Sequence, residues 1–417
     1  MPSLELQRLE PRMCLSLSFA PPVASPVGAV NEMAAGDFNG DGVADLAVWS
    51  NASPVAAIPM VRILVGTKTG KFTEIGRAWA GANVSDLEAA DLNADGRLDL
   101  VAANNNSFGT ATVLLGKGDG RFSSTRSYFI GANTQDVAIG DFDGNGALDI
   151  VGANLEMWSA NPDSDMPSRY GAGLLRGLGK GPFAPVMQIP LIDGQTHVVA
   201  GDVDGNGRLD AVLGGPFSMS LSPLPRALVH IVLNRPSALT SSWFAVRQFS
   251  PFVGKVAGLG LSDLNADGRA DLAALQDFYG SSNSTTGGAG SATLHTFLSK
   301  GDGTFALKSS VNAEVVRPAG LSVGDVDRDG LVDFVVTGTN PQPVIAIAIY
   351  PPPGLASVMR GTGGGGVSAP QLFYPGPAPA AQLLVDLNND GLLDIVTGAA
   401  SGTWAMLNTT TPIGPTV

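Results

Sequence analysis

The residues in this chain best suited to chemistry are aspartates, and they recur at a fixed spacing. The nonapeptide DFNGDGVAD, Asp37 to Asp45, returns as DLNADGRLD from Asp91, DFDGNGALD from Asp141, DVDGNGRLD from Asp202, DLNADGRAD from Asp263, DVDRDGLVD from Asp325 and DLNNDGLLD from Asp386. The shared form is D-x-[DN]-x-[DN]-G-x-x-D. A hard cation such as calcium takes six to eight oxygens at roughly 2.3–2.6 Å, and a tight loop of alternating carboxylates and amides supplies them from few residues. In the first copy Asp37, Asn39, Asp41 and Asp45 offer side-chain oxygens, and a carbonyl near Val43 offers another. Gly42 permits the turn that wraps the loop around the ion. Magnesium, with its strict octahedron and tightly held waters, fits such a loop less well.

A helix–loop–helix calcium site opens with the same residues but closes on a bidentate glutamate at position twelve. That position here holds Val48, Ala102, Gly152, Leu213, Ala274, Val336 and Thr397. A nine-residue site, closed by its last aspartate within a β-hairpin, is the better reading.

The formal charge of −13 at first discourages a nucleic-acid partner, since phosphate binding needs a basic face. Its location matters more, because 22 of the 37 acidic residues lie inside the seven nonapeptides. Seven divalent cations would bring the total to about +1, so the acidity reads as metal-site chemistry. Cys14 is the only cysteine, which excludes a disulfide framework and a cysteine metal cluster. The richest apolar run, Val344 to Tyr350, is strand-length, so no transmembrane segment is expected. Arg8 and Arg12 precede a short apolar run that makes a poor signal peptide, although LEPRMCLSLS resembles an export-associated segment of some bacterial surface proteins.

The elements that must position these loops follow from the spacing. Motif starts lie 54, 50, 61, 61, 62 and 61 residues apart, one supersecondary unit per interval. Short apolar runs follow each motif, as in LAVWS, LVAAN and IVGAN, and strand-like stretches precede it, so the motif is the turn of a hairpin. A second hairpin around a Gly-rich turn follows, as in TVLLGKGDGRF. Four antiparallel strands repeated seven times is an all-β, seven-bladed β-propeller. A phenylalanine opens the fourth strand of most units: Phe72, Phe122, Phe183, Phe244 and Phe305. Phe19 repeats that signal before the first unit, whereas Gly402 to Asn408 reads as a third strand with no fourth after it. The N-terminal strand is therefore expected to complete the last blade and close the ring, or else to complete a neighbouring molecule and build a homopolymer. Residues 1–18 read as an N-terminal extension and 19–417 as one propeller, with metal loops at 37–45, 91–99, 141–149, 202–210, 263–271, 325–333 and 386–394. Long second-to-third connections fall at 154–172, 214–226 and 276–292, and Gly354 to Pro370 is expected to be a flexible third-to-fourth loop.

Ala90 to Phe122, ADLNADGRLDLVAANNNSFGTATVLLGKGDGRF, resembles the FG-GAP or VCBS repeat over a whole unit, and the likeness covers nearly the full chain. That family includes integrin α heads, fungal lectins and bacterial surface proteins. The resemblance implies up to seven structural calcium ions on motif positions one, three, five and nine. In the other loops these are Asp91, Asn93, Asp95 and Asp99; Asp141, Asp143, Asn145 and Asp149; Asp202, Asp204, Asn206 and Asp210; Asp263, Asn265, Asp267 and Asp271; Asp325, Asp327, Asp329 and Asp333; and Asp386, Asn388, Asp390 and Asp394. Dissociation constants of ~10⁻⁴ to 10⁻³ M would give roughly 0.4–1.4 kcal/mol per site at about 1 mM calcium. An extracellular or cell-surface location, bacterial in character, is the expectation.

Two further groups are candidates for binding. Five residues before each motif stand Glu32, Asp86, Asp136, His197, Gly258, Gly320 and Ala381, of which the first four, with Glu88, are expected to rim the axial channel opposite the metal loops. Trp158, Arg169, Tyr170, Phe217, Phe278 and Tyr279 sit in the long loops, where exposed aromatics suit a sugar or protein ligand. His230 and His295 read as third-strand residues. Sequons stand at Asn51, Asn83, Asn105, Asn283 and Asn408. These features point to a non-enzymatic, calcium-stabilised adhesion or binding propeller for a glycan or protein. The alternatives are a sheath or filament subunit joined by strand exchange, and a polysaccharide lyase or hydrolase using His197 with Asp136.

Overall fold

The computed structural model describes residues 17–50, 60–155, 171–191, 193–215, 226–235, 244–277, 291–340 and 353–411. Among them are seven four-stranded antiparallel sheets and no helix. Each sheet is one blade, and its first strand lies innermost. First strands contact one another in chain order, and that of blade seven, Pro379–Val385, contacts that of blade one, Glu32–Gly36.

The residue pattern changes outward across each blade for a simple reason. Second strands such as Asp45–Trp49 and Asp99–Asn104 are covered on both faces by neighbouring blades, and every residue in them is buried. Fourth strands such as Phe72–Ala78 alternate, after a buried Phe72, between exposed and half-buried residues. The core is a ring of apolar seams. Ala47, Val61 and Ile63 of blade one pack against Leu87, Leu100 and Ala102 of blade two. Motif position two feeds the same seams: Phe38 meets Phe122 edge-on at 6.3 Å.

The N-terminal strand Val23–Ser25 pairs with Gly402–Met406 in the register Val23↔Ala405 and Ser25↔Thr403. It thereby supplies the fourth strand of the last blade from its own chain. Upstream, Leu17 is buried in the seam between blades six and seven, and Phe19 meets Phe373 edge-on at 4.8 Å.

One sequence expectation is corrected. Gly354 to Pro370 is not a single loop, because Gly354–Met359 is the third strand of blade six, paired with Phe334 to Thr339. Its small residues fill a seam where bulk is excluded: Ala356 and Ser357 are fully buried. Only the turn closed by the Gly361–Val367 bridge is glycine-rich loop.

Candidate metal centres

Each nonapeptide turns between a first and a second strand, and its carboxylates organise the backbone around them. In the first loop Asp37 Oδ1 accepts from the N–H of Gly40 at 2.7 Å and of Asp41 at 3.1 Å, while Oδ2 accepts from Gly42 at 2.8 Å. Asn39 Oδ1 accepts from Asp41 N–H at 2.8 Å, and Asp41 Oδ1 from Val43 N–H at 2.8 Å. Left-handed backbone is needed at position four as well as six, with φ of 79° at Gly40 and 80° at Gly42. Position four is harder to see because Ala94, Ala266, Arg328 and Asn389 adopt the same conformation without being glycine.

The closing aspartate does more than sequence spacing suggests. Asp45 is fully buried, its Oδ2 accepting from Phe38 N–H at 3.1 Å and its Oδ1 from Gly66 N–H, at the end of the third strand, at 2.9 Å. Asp99, Asp149, Asp210, Asp271, Asp333 and Asp394 repeat both bonds, the second going to Gly116, Gly177, Asn234, Ser299, Gly361 and Asn408. Position nine thus staples the metal loop to the third strand. Burial pushes Asp45, Asp99, Asp149, Asp210 and Asp394 up to about 6 and Asp333 up to about 7.

The donor set fits a hard cation. In Asp141–Asp143–Asp149, Asp202–Asp204–Asp210 and Asp325–Asp327–Asp333 one oxygen from each residue lies within 4.8 Å of the others. The remaining four loops carry asparagine at position three, and its Nδ2 donates to the position-five aspartate, as in Asn39 to Asp41 at 3.0 Å. In the three loops with aspartate at position three, an arginine directly after the third strand approaches that residue: Arg176 to Asp143 at 3.7 Å, Arg235 to Asp204 at 2.7 Å and Arg360 to Asp327 at 3.5 Å. A carboxylate at position three and the nearby guanidinium thus occur together.

At the other end of the first strands, the acidic residues bind blade to blade. Asp86 Oδ2 accepts from Val137 N–H at 3.1 Å and Asp136 Oδ2 from Val198 N–H at 2.9 Å, each on the next blade's first strand. Asp86 and Asp136 also hydrogen-bond to each other, and burial holds both above the usual carboxylate range. Burial and the charge of Asp86 push Glu32 up to about 9 and Glu88 up to about 8. His197 Nδ1 lies 3.9 Å from Asp136 Oδ2, and burial, reinforced by Lys255, pushes it down to about 4. Beyond them an axial cavity of about 480 Å³ is walled by residues such as Ile139, Ala200, Leu261 and Val323, with Glu88 as its one carboxylate.

Trp158, Arg169, Tyr170, Phe217, Phe278 and Tyr279 lie outside the described residues, as do Asn51 and Asn283. Asn408 is buried and donates to Val326 O at 2.7 Å, so that sequon is a structural asparagine. Among the described residues the exposed aromatics are Phe108 at 79%, Phe129 at 51%, Tyr374 at 50% and Trp79 at 46%. By strand direction all four sit at the ends opposite the metal loops, Phe108, Phe129 and Trp79 on blades one and two and Tyr374 after the fourth strand of blade six. Phe108 is projected by a tight turn in which Asn106 Oδ1 accepts from its N–H at 3.0 Å and from Gly109 N–H at 2.9 Å. The signal in the sequence is the NNNSFG turn, a short connection between the second and third strands of blade two.

The FG-GAP-like repeat matches this sequence at residues 37–102, 91–152 and 263–336, each span beginning on a motif aspartate. The chain carries FG-GAP-like repeats. These FG-GAP-like spans take in the metal loops of blades one, two, three, five and six, and the same loop geometry recurs in blades four and seven. Among solved structures, a Lactobacillus plantarum protein aligns with a TM-score of 0.49 and 13% identity over 84% of this chain and 86% of its own. No curated protein matches the chain. No helix among the described residues is long and apolar enough to cross a membrane.

Proposed function

We propose that this FG-GAP-like propeller is a non-enzymatic binding module outside the cell, stabilised by calcium in its seven loops, which recognises a glycan or protein on the face opposite those loops. The observation that carries the reading is the set Trp79, Phe108 and Phe129, three exposed aromatics on blades one and two beside Asn83, Asn105 and Asn106. Flat rings next to amide groups suit the apolar face and hydroxyls of a sugar, and equally an aromatic hot spot for a protein. Calcium would serve as a fixed part of the hairpins, since its donors are also the acceptors that shape the loop.

A glycan array probed in calcium and in EDTA tests this. Binding in calcium is expected, with loss on Phe108→Ala or Trp79→Ala at unchanged melting temperature. An array and a surface-protein screen both silent in calcium would count against it.

A further inference from the structure

One level of the axial channel departs from the repeat. Three residues before each motif, the seven first strands carry Ala34, Glu88, Ala138, Val199, Gly260, Ser322 and Leu383. Glu88 is the one charge among them, and the Ser322 hydroxyl already accepts from Gln382 Nε2 at 3.0 Å. Ala138, Val199 and Gly260 line the axial cavity of about 480 Å³ at the level of Glu88, and Ile139, Leu261 and Val323 add branched apolar wall. Ligand pockets enclose roughly 300–1,000 Å³ behind mostly apolar walls with a few placed polar groups, and this cavity has that size and that make-up.

The charges around this carboxylate carry one sign. Glu88 is open to the channel, the charge of Asp86 acts on it, and Glu32 and Asp136 stand at the same entrance. The basic groups on the first strands that wall the cavity are engaged elsewhere. Lys255 pairs with Asp277 at 3.0 Å, burial keeps His197 neutral beside Asp136, and Arg317 is exposed near the start of its strand, Val316–Gly324. Among the described residues none of the three pairs with Glu88. The channel therefore combines an apolar wall with a negative charge that the fold itself does not balance.

We propose that the axial cavity binds a small organic cation, an ammonium head on a bulky apolar body, with the head on Glu88 and the body against Ile139, Leu261 and Val323. Removing the body from water favours any apolar ligand of that size, so the wall selects the body and the carboxylate selects the head. An anion would meet Glu32, Asp86 and Asp136 at the entrance, whereas the same groups draw a cation inward. Burial and the charge of Asp86 push Glu88 up to about 8, so at neutral pH the ammonium takes the place of a proton. The site is separate from both the metal loops and the exposed aromatics, and it rests on neither.

The test uses the full-length protein in about 1 mM calcium, titrated by calorimetry with three probes that share one body: adamantylamine, adamantanol and adamantane carboxylate. The amine is expected to bind at least about tenfold more tightly than the alcohol, and the carboxylate not at all. Buffers of different ionisation enthalpy should report a proton released with the amine, and its affinity should rise between about pH 6.5 and 8.5 as Glu88 ionises. Glu88→Gln should bring the amine to the level of the alcohol, whereas Glu74→Gln, on the outer strand of blade one, should change nothing. Comparing the three heads on the unaltered chain reports even where Glu88→Gln fails to fold. An amine that does not bind, that binds no better than the alcohol, or that binds equally to a folded Glu88→Gln protein would overturn the assignment.

Discussion

A carboxylate such as Asp149 is held by three backbone N–H groups and faces two other aspartates, so its removal should act in two separable ways. Asp149→Ala leaves the N–H groups of Asp143 and Gly177 without their acceptor and that of Phe142 with Gly140 O alone, a loss of about 2–5 kcal/mol that persists in EDTA. Asp41→Ala, by contrast, should leave the EDTA-treated melting curve nearly unchanged and abolish one calcium equivalent. Urea titrations with and without calcium distinguish the two. The pH dependence follows from the same residues. Unfolded aspartate titrates near ~3.9, whereas burial raises Asp45, Asp99, Asp149, Asp210 and Asp394 to about 6 and Asp333 to about 7. The folded state therefore binds protons more tightly, and these groups contribute stability at low pH that is lost as pH rises through that window. EDTA-treated protein should melt lower at about pH 7.5 than at about pH 5, and calcium, taking the place of the proton, should remove that decline. A melting temperature in EDTA that climbed over this range would contradict the argument.

At the scale of the element, the hairpins were readable because each carries its own constraint: glycine at position six, a carboxylate at one and nine, an apolar run behind. Contacts between blades were not. Nothing local to Asp86 or Asp136 announces that each bonds the first strand of the next blade, because the acceptor and donor are 51 and 62 residues apart. The third strand of blade six is hidden in the sequence for a different reason, since LASVM has small residues suited to a tight seam and the glycines beside it dominate the composition. The arginines after third strands were likewise invisible until geometry joined them to position three. They make a prediction of their own. Arg235 lies against Asp204, whose side chain is almost wholly covered, and its guanidinium competes with any cation for that carboxylate. Arg235→Gln should lower stability in EDTA by about 0.5–1 kcal/mol, while the stabilisation gained from calcium increases. Melting at several calcium concentrations measures both, and a reduced calcium gain would show that the arginine supports the ion instead of opposing it.

For the molecule as a whole, the decisive contact is the one that closes the ring. Ring closure removes the exposed edge that Gly402–Met406 would otherwise present, and strand exchange between copies would use the same edge. The N-terminal segment does more than add hydrogen bonds, because Leu17 fills the seam lined by Val326, Val335, Ala356, Ile395 and Met406, and Phe19 packs on Phe373. Gln371 Nε2 also donates to Leu17 O at 2.9 Å, tying the outer strand of blade six to this plug. Burying a leucine fully is worth roughly 1.5–3 kcal/mol and the half-buried phenylalanine adds less, so deleting residues 1–25 should cost about 2–5 kcal/mol in saturating calcium. A synthetic peptide of residues 17–25 should restore that loss saturably in trans, since it carries both anchors and the paired strand. Native mass measurement of the intact chain should then give a monomer carrying seven calcium ions. Calcium-dependent oligomers that disappear on the same deletion would instead assign the strand to a neighbouring copy, and a truncated protein as stable as the intact one would remove the N-terminal segment from the fold's closure altogether.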